Sequence, residues 1–343
     1  MENSHLPRPF DPTKVDRVIT HGGCADGKAA AWPFWRVNRD RYLAGTFKID
    51  EVVHGQPPPD VTGEFVVITD FCYPIDVLRR LADKAKLIWI FDHHKSAERD
   101  ARLAGLLPNT FYIFDMTRSG AQIAWDVVER SNAHEPRPSF IDIIADRDLW
   151  EWKIPFSKEI NKALFTRGYY TWENMEGLYD LENSDPHAFV SFLKNMKKAG
   201  KVICDQEDKD IAAACYKGIL ANFKPPTTST LVKKDGMSWY VEDPAKSYFA
   251  CLTTGPKQLC SEICNQLLEL HPQINVAAMW QYDFVTNEWW VSCRSRKSDA
   301  DRVDLSEICA KFERGGGHAS AAGFTIFGSK CQDLRTYFTP CPI

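Results

Sequence analysis

The first half of the chain alternates short apolar runs with stretches of helical periodicity, and few folds accommodate that alternation. VDRVIT (15–20), EFVVIT (64–69), KLIWIF (86–91) and TFYIF (110–114) are dense in β-branched and aromatic residues and read as strands. Between them, PIDVLRRLADKA opens with Pro74 at a helix-starting position and places Ile75, Leu78, Leu81 and Ala82 at helical spacing. SGAQIAWDVVER follows the fourth run, with Ser119 placed to cap a helix. Strands alternating with helices imply a mainly parallel sheet with helices on both faces, an α/β fold. In such sheets the binding crevice lies at the carboxyl ends of the strands. His21, Asp70 and the run Asp92-His93-His94 stand at three of these ends and are expected to converge.

At 343 residues the chain exceeds what one core usually supports, so two domains are expected. Beyond the long charged helical stretch from PHAFVSFLKNMKKAGKV to DKDIAAACYKGI the pattern changes. MSWYVED, YFACLTTG, VAAMWQYD and EWWVSCRS read as strands, LCSEICNQLLELH and DLSEICAKF as helices, and FVTN (284–287) as a hairpin turn. The expected division is a tail over 1–14, a first domain over 15–190, a helical connector over 191–218 and a smaller α/β domain with a mixed sheet over 219–343.

A net charge of −4 disfavours a broad basic surface for long nucleic acid and leaves room for short or single-nucleotide ligands. Eleven scattered cysteines read as reduced intracellular thiols, and no apolar run approaches the roughly 18 residues of a membrane span. The expectation is a soluble cytoplasmic protein.

Four segments carry the chemistry: THGGCADGKAAAW, ITDFCYP, FDHHKS and IADRDLWEW. Each alone reads as a capped turn or a polar loop. Together they would bring Asp26, Asp70, Asp92 and Asp148 to one crevice, where each pair of carboxylates about 4 Å apart costs on the order of 4 kcal/mol at an intermediate dielectric. A cation must offset that, and His21 and His93 are imidazole ligands suited to a transition metal. Carboxylates shared between two metals are the usual arrangement for hydrolysing phosphate esters.

This ordered set resembles the DHH phosphoesterases. Asp92-His93-His94 follows a strand, a His-containing Asp-Gly turn precedes it, and Asp70 stands at a strand exit between them. RGGGHASAAGF (314–324) is similar to the glycine-rich signature of the DHH-associated domain, and SCRSR (292–296) lies where that domain has its Arg-Ser strand. The resemblance spans about 15 to 327. It implies a catalytic domain followed by a substrate-binding DHH-associated domain, with an active site between them and two divalent metals, Mn2+ for preference.

Residue by residue, the resemblance makes Asp70 the carboxylate bridging two metals and His21 a ligand of the first. Asp26, His93 and Asp148 become ligands of the second, with Asp146 in reserve. Asp92 would orient His93, and His94 would face the scissile phosphate or protonate the leaving oxygen. The chain departs from the family at its first motif, where Cys24 stands in place of an aspartate with one residue inserted; Cys24 is therefore a candidate ligand or a small neutral filler. Arg294, Ser295, Gly315, Gly316, Gly317 and His318 would hold the substrate end, and Arg118, beside a helix N-terminus, is a candidate phosphate contact.

The implied activity is two-metal hydrolysis of short oligoribonucleotides, to which the Asp-x-Trp form (148–150) and the acidic charge incline it. Alternatives within the family are 3′-phosphoadenosine 5′-phosphate and cyclic-dinucleotide products. A non-enzymatic alternative is a nucleotide- or RNA-binding subunit that has lost turnover. The expected partners are short RNA or nucleotides and a second copy of the chain, with no membrane. His5, His54, His134, His187 and His271 have no sequence partners and read as surface residues, and most tryptophans read as core.

Overall fold

The computed structural model describes residues 10–53, 55–130, 136–227, 229–234, 237–242, 246–296, 303–327 and 334–341. The chain divides into two compact units, Met1–Cys204 and Asp205–Ile343. In the first, strands β1 (Arg17–His21), β2 (Lys48–Val52), β3 (Phe65–Thr69), β4 (Leu87–Asp92) and β5 (Thr110–Phe114) form a sheet in the order β2-β1-β3-β4-β5. All neighbouring pairs are parallel. The helices are α1 (Ala25–Val37), α2 (Arg39–Leu43), α3 (Ile75–Ala82), α4 (Lys95–Ala104), α5 (Gly120–Arg130), α6 (Ser139–Asp148), α7 (Ser157–Thr166), α8 (Trp172–Ser184) and α9 (Pro186–Tyr216). The division between the units falls inside α9.

The inner strands are apolar along their length because both faces are covered. Val18, Val67, Trp89 and Phe91 pack into a core with Ala29, Trp32, Ile123, Ile144 and Met175 from the helices of one face. Their sequence neighbours Ile19, Val66, Ile68, Ile88 and Ile90 enter a second core with Leu78, Leu81 and Ala101 on the other. Successive strand residues point to opposite faces, so continuous runs of Val and Ile are what a two-sided sheet requires. β2 has no such run: only Val52 of its five residues is buried, which is why the sequence pattern does not reveal this edge strand. The chain leaves β1 for β2 on one side and then crosses to β3 on the other. The order therefore reverses at β1 and β3, the position where ligands bind in open α/β sheets.

The second unit holds β6 (Ile219–Phe223), β7 (Ser229–Lys234), β8 (Met237–Glu242), β9 (Tyr248–Thr253), β10 (Val276–Asp283), β11 (Glu288–Arg294), β12 (Arg314–Gly317), β13 (Ala321–Phe327) and β14 (Phe338–Pro340). Its helices are α10 (Cys260–Leu270), α11 (Leu305–Cys309) and α12 (Leu334–Tyr337). Seven strands form a mixed sheet in the order β12-β13-β11-β10-β9-β6-β14, and β7 pairs with β8 separately. β9 and β10 run parallel with α10 between them in sequence; the other neighbours are antiparallel. The FVTN turn joins β10 to β11 as a hairpin. Among the described residues no helix is long and apolar enough to cross a membrane.

Gly315, Gly316 and Gly317 form the edge strand β12, paired with β13. A Cβ on Gly315 would lie 1.9 Å from the Cys309 carbonyl oxygen, and one on Gly317, at φ +136°, would lie 2.6 Å from that of Ala321. Both glycines are there for close packing. Gly316 has open space where a Cβ would stand.

Candidate metal centre

The carboxyl edge of the first sheet delivers most of the side chains. β1 ends at His21, and Gly22-Gly23 turns the chain into α1, with Gly23 in the left-handed region at φ +79°. Cys24 caps α1: its Sγ accepts from the Gly27 N–H at 3.2 Å. A Cβ on Gly27 would stand 2.1 Å from the His21 carbonyl oxygen, so a glycine there lets the first turn of α1 rest on the end of β1. Asp70 follows β3 at φ 53°, a left-handed conformation that costs a non-glycine residue about 1–3 kcal/mol. Asp92 is the last residue of β4, with His93 and His94 directly behind it. Asp148 is the last residue of α6.

Asp70 has one oxygen on each of two ligand groups. Its Oδ2 lies 3.4 Å from Cys24 Sγ and 3.7 Å from His21 Nδ1, while Sγ and Nδ1 are 3.4 Å apart. Its Oδ1 lies 3.1 Å from His93 Nε2, which is also 3.5 Å from Asp148 Oδ2 and 3.8 Å from Asp26 Oδ2. The sets His21–Cys24–Asp70 and Asp26–His93–Asp148 each hold ligand atoms within 4.8 Å of one another, as does Asp70–Asp92–His93–His94.

Asp26 is fixed by the N-terminus of α5. The Gly120 N–H donates to its Oδ2 at 2.7 Å and the Ala121 N–H to its Oδ1 at 3.2 Å. A Cβ on Gly120 would lie 2.5 Å from Asp70 Cβ, so only glycine lets the helix end approach both carboxylates. Ser119 caps this helix reciprocally with Gln122, as the sequence leads one to expect. Sequence reasoning missed the part played by Gly120 and Ala121; its only trace is a pair of small residues after a capping serine.

Asp92 corrects an expectation. Its Oδ1 accepts from the backbone N–H groups of His93 and His94, and lies 2.8 Å from His94 Nδ1. It orients the His94 ring, because an aspartate that bonds the two following amides can reach the Nδ1 two residues on. Asp146 is taken up structurally. Its buried carboxylate accepts from the Lys153 and Ile154 N–H groups and from the Ser157 hydroxyl, leaving Asp148 as the acid of this segment in the cluster.

The charges are unbalanced. Asp26, Asp70, Asp92 and His93 are each at most 2% exposed, and among the described residues no lysine or arginine pairs with these three acids. Burial, with Asp70 and Asp148 nearby, pushes Asp26 well above the usual carboxylate range. Asp148, whose side chain keeps 30% exposure, is raised less, by burial and by Asp70 against the opposing pull of His93. Burial also opposes ionisation of Asp70, but bonds from His21 and His93 and the charge of His94 hold it well below its usual value. Burial disfavours a charged His93, yet its bond to Asp70 and the carboxylates of Asp148, Asp70 and Asp26 raise it to about 10. His94 is raised by Asp92, against burial. Burial and the charges of Asp70 and Asp26 push the Cys24 thiol well up.

A divalent cation fits this donor set. It would replace the proton drawn onto His93, offset the acids, and reverse the field that keeps Cys24 protonated. Among the described residues the buried Asp92 Oδ2 accepts no hydrogen bond, a further mark of excess acceptor capacity.

The remaining candidates are placed otherwise. Arg118 is matched by Asp115 at 2.7 Å and Asp126 at 2.8 Å, so its charge is already committed. In the second unit, Arg294 donates to the Ser261 and Ser292 hydroxyls and the Cys293 carbonyl. Ser295 is buried and its hydroxyl donates to the carbonyls of Val303 and Ala319. His318 opens the turn between β12 and β13 through bonds with Ala321. His187 is exposed and His271 half-buried; His5, His54 and His134 lie outside the described residues.

No protein-family model matches the chain. It is 26% identical over 332 residues to the uncharacterized protein R106 of Acanthamoeba polyphaga mimivirus, covering 94% of this chain and 70% of the relative. Among solved structures it is similar to PggH, a pGpG-specific phosphodiesterase from Vibrio cholerae, at 14% identity and a TM-score of 0.39, over 92% of this chain and 94% of that one.

Proposed function

We propose that the chain is a metal-dependent phosphodiesterase of the DHH type, acting on short oligoribonucleotides. One observation carries the reading: Asp70 places one carboxylate oxygen among His21 and Cys24 and the other against His93, the geometry of a bridging ligand. His21, Cys24 and Asp70 would hold a first divalent ion, and Asp70, Asp26, His93 and Asp148 a second, with Mn2+ preferred. When bound, the pair would activate water and offset the charge that develops on the phosphoryl oxygens.

The chain's own residues prepare the site. The α5 amides and Gly120 keep Asp26 in place, and the left-handed backbone at Asp70 aims its carboxylate between the two groups. Asp92 bonded to His94 Nδ1 fixes that ring so that Nε2 is the nitrogen able to pass a proton to the leaving oxygen. The restriction to short substrates rests on the acidic net charge and on the resemblance of the second unit to a DHH-associated domain, in which Arg294 and the β12 edge would receive a substrate end.

The test is hydrolysis, with Mn2+ and after exhaustive chelation, of dinucleotides, longer RNA, 3′-phosphoadenosine 5′-phosphate and a cyclic dinucleotide. The expected result is chelator-sensitive turnover, highest on oligomers of about two to five nucleotides. Preference for one of the other two substrates would reassign the substrate, and no turnover on any would leave a binding subunit.

A further inference from the structure

The segment after Asp148 has a feature that neither the core nor the metal centre accounts for. Trp150, Trp152 and Phe156 all sit in the left-handed region, at φ 55°, 54° and 66°. Three bulky residues in that conformation within seven positions do not arise from a slack loop. Asp146 enforces it: its carboxylate takes the Lys153 and Ile154 N–H groups and the Ser157 hydroxyl, and its carbonyl takes the Glu151 N–H at 2.9 Å. The effect is to set the Trp150 and Trp152 rings edge to face, centroids 4.9 Å apart. Both remain partly exposed, and neither belongs to a core cluster, whereas Ile154 of the same segment packs against the main core. A folded chain ordinarily buries tryptophan for its apolar area; here a strained backbone holds two of them only half-buried, two and four residues from Asp148.

We propose that Trp150 and Trp152 form a stacking platform for a nucleobase of the substrate, so that the centre selects base-bearing phosphodiesters over base-free ones. Stacking tolerates every base because each has a π-face, and its energy per base is enough for roughly tenfold discrimination or more. This rests on the phosphodiesterase reading for its substrate, but it is testable without turnover.

The full-length, chelated protein is titrated by calorimetry with adenosine 5′-monophosphate and with ribose 5-phosphate, which lacks the base. The native chain should bind the first at least about tenfold more tightly. Trp150→Phe and Trp152→Phe keep an aromatic face and should retain most of that ratio. Trp150→Leu and Trp152→Leu keep apolar bulk without it, and should bring the ratio to within about threefold at an unchanged circular dichroism spectrum. With Mn2+, the Leu variants should also lower kcat/KM for a dinucleotide relative to bis(p-nitrophenyl) phosphate, chiefly through KM. Equal ratios in the Phe and Leu variants, or no preference for the base in the native chain, would overturn the proposal. Metal-dependent cleavage of the base-free ester would in that case still support the centre itself, and loss of all turnover with the binding ratio intact would do the reverse.

Discussion

Asp146 and Asp148 are two residues apart and chemically identical, yet the fold gives them separate work. Asp146 is spent on three donors of the following loop, whereas Asp148 lies 3.5 Å from His93. Asp146→Ala should therefore lower folding stability by about 1–3 kcal/mol, read by denaturant unfolding, since it orphans the buried Ser157 hydroxyl and two partly buried amides. Asp148→Asn should leave unfolding within about 1 kcal/mol and weaken Mn2+ binding at least tenfold by calorimetry. The opposite pattern would exchange their roles. Cys24 is the other residue at which identity decides chemistry. A thiolate shifts a site toward softer ions, so the Co2+-loaded chain should show sulfur-to-cobalt absorption that Cys24→Ser abolishes, with first-site affinity falling more than tenfold. Spectra and titrations unchanged by the substitution would reduce Cys24 to a helix cap.

At the level of elements, the site depends on how the strands are fastened. Arg17 on β1 is buried and bonds both Glu64, just before β3, and Asp50 on β2. Burial works against ionisation of Glu64, but Arg17 lowers it overall. A depressed carboxylate contributes stability that is full above its unfolded value of about 4.3 and is lost as pH falls through the lower folded value. Glu64→Gln should thus cost about 1–3 kcal/mol at pH 7, and the gap to the native chain should narrow below about pH 4. A gap independent of pH would mean the loss is one of packing. The inner strands were legible in sequence because both faces are apolar, and the exits of β1, β3 and β4 advertised His21, Asp70 and Asp92. β2 was silent because an exposed edge strand needs no apolar run. Strand β12 was silent because three consecutive glycines carry no strand pattern, although Gly315 admits the Cys309 carbonyl there. The partner of Asp92 was missed since only coordinates distinguish His93 Nε2 from His94 Nδ1.

For the whole molecule, the first unit buries Asp26, Asp70 and Asp92 at the point where the sheet order reverses, with histidines beside them and, among the described residues, no lysine or arginine paired to them. Against burial, the bond to Asp70 and the nearby carboxylates of Asp148, Asp70 and Asp26 raise His93 to about 10. We propose that a divalent ion offsets these acids and that Asp70 serves both ion positions. The most direct measurement compares the native chain with Asp70→Ala, each chelated exhaustively and then repleted with Mn2+, by hydrolysis of a short RNA and by calorimetric metal stoichiometry. The expected result is metal-dependent hydrolysis and two bound ions for the native chain, and a folded variant with no turnover and loss of both sites. Full activity in the repleted variant would rule out Asp70 as a shared ligand.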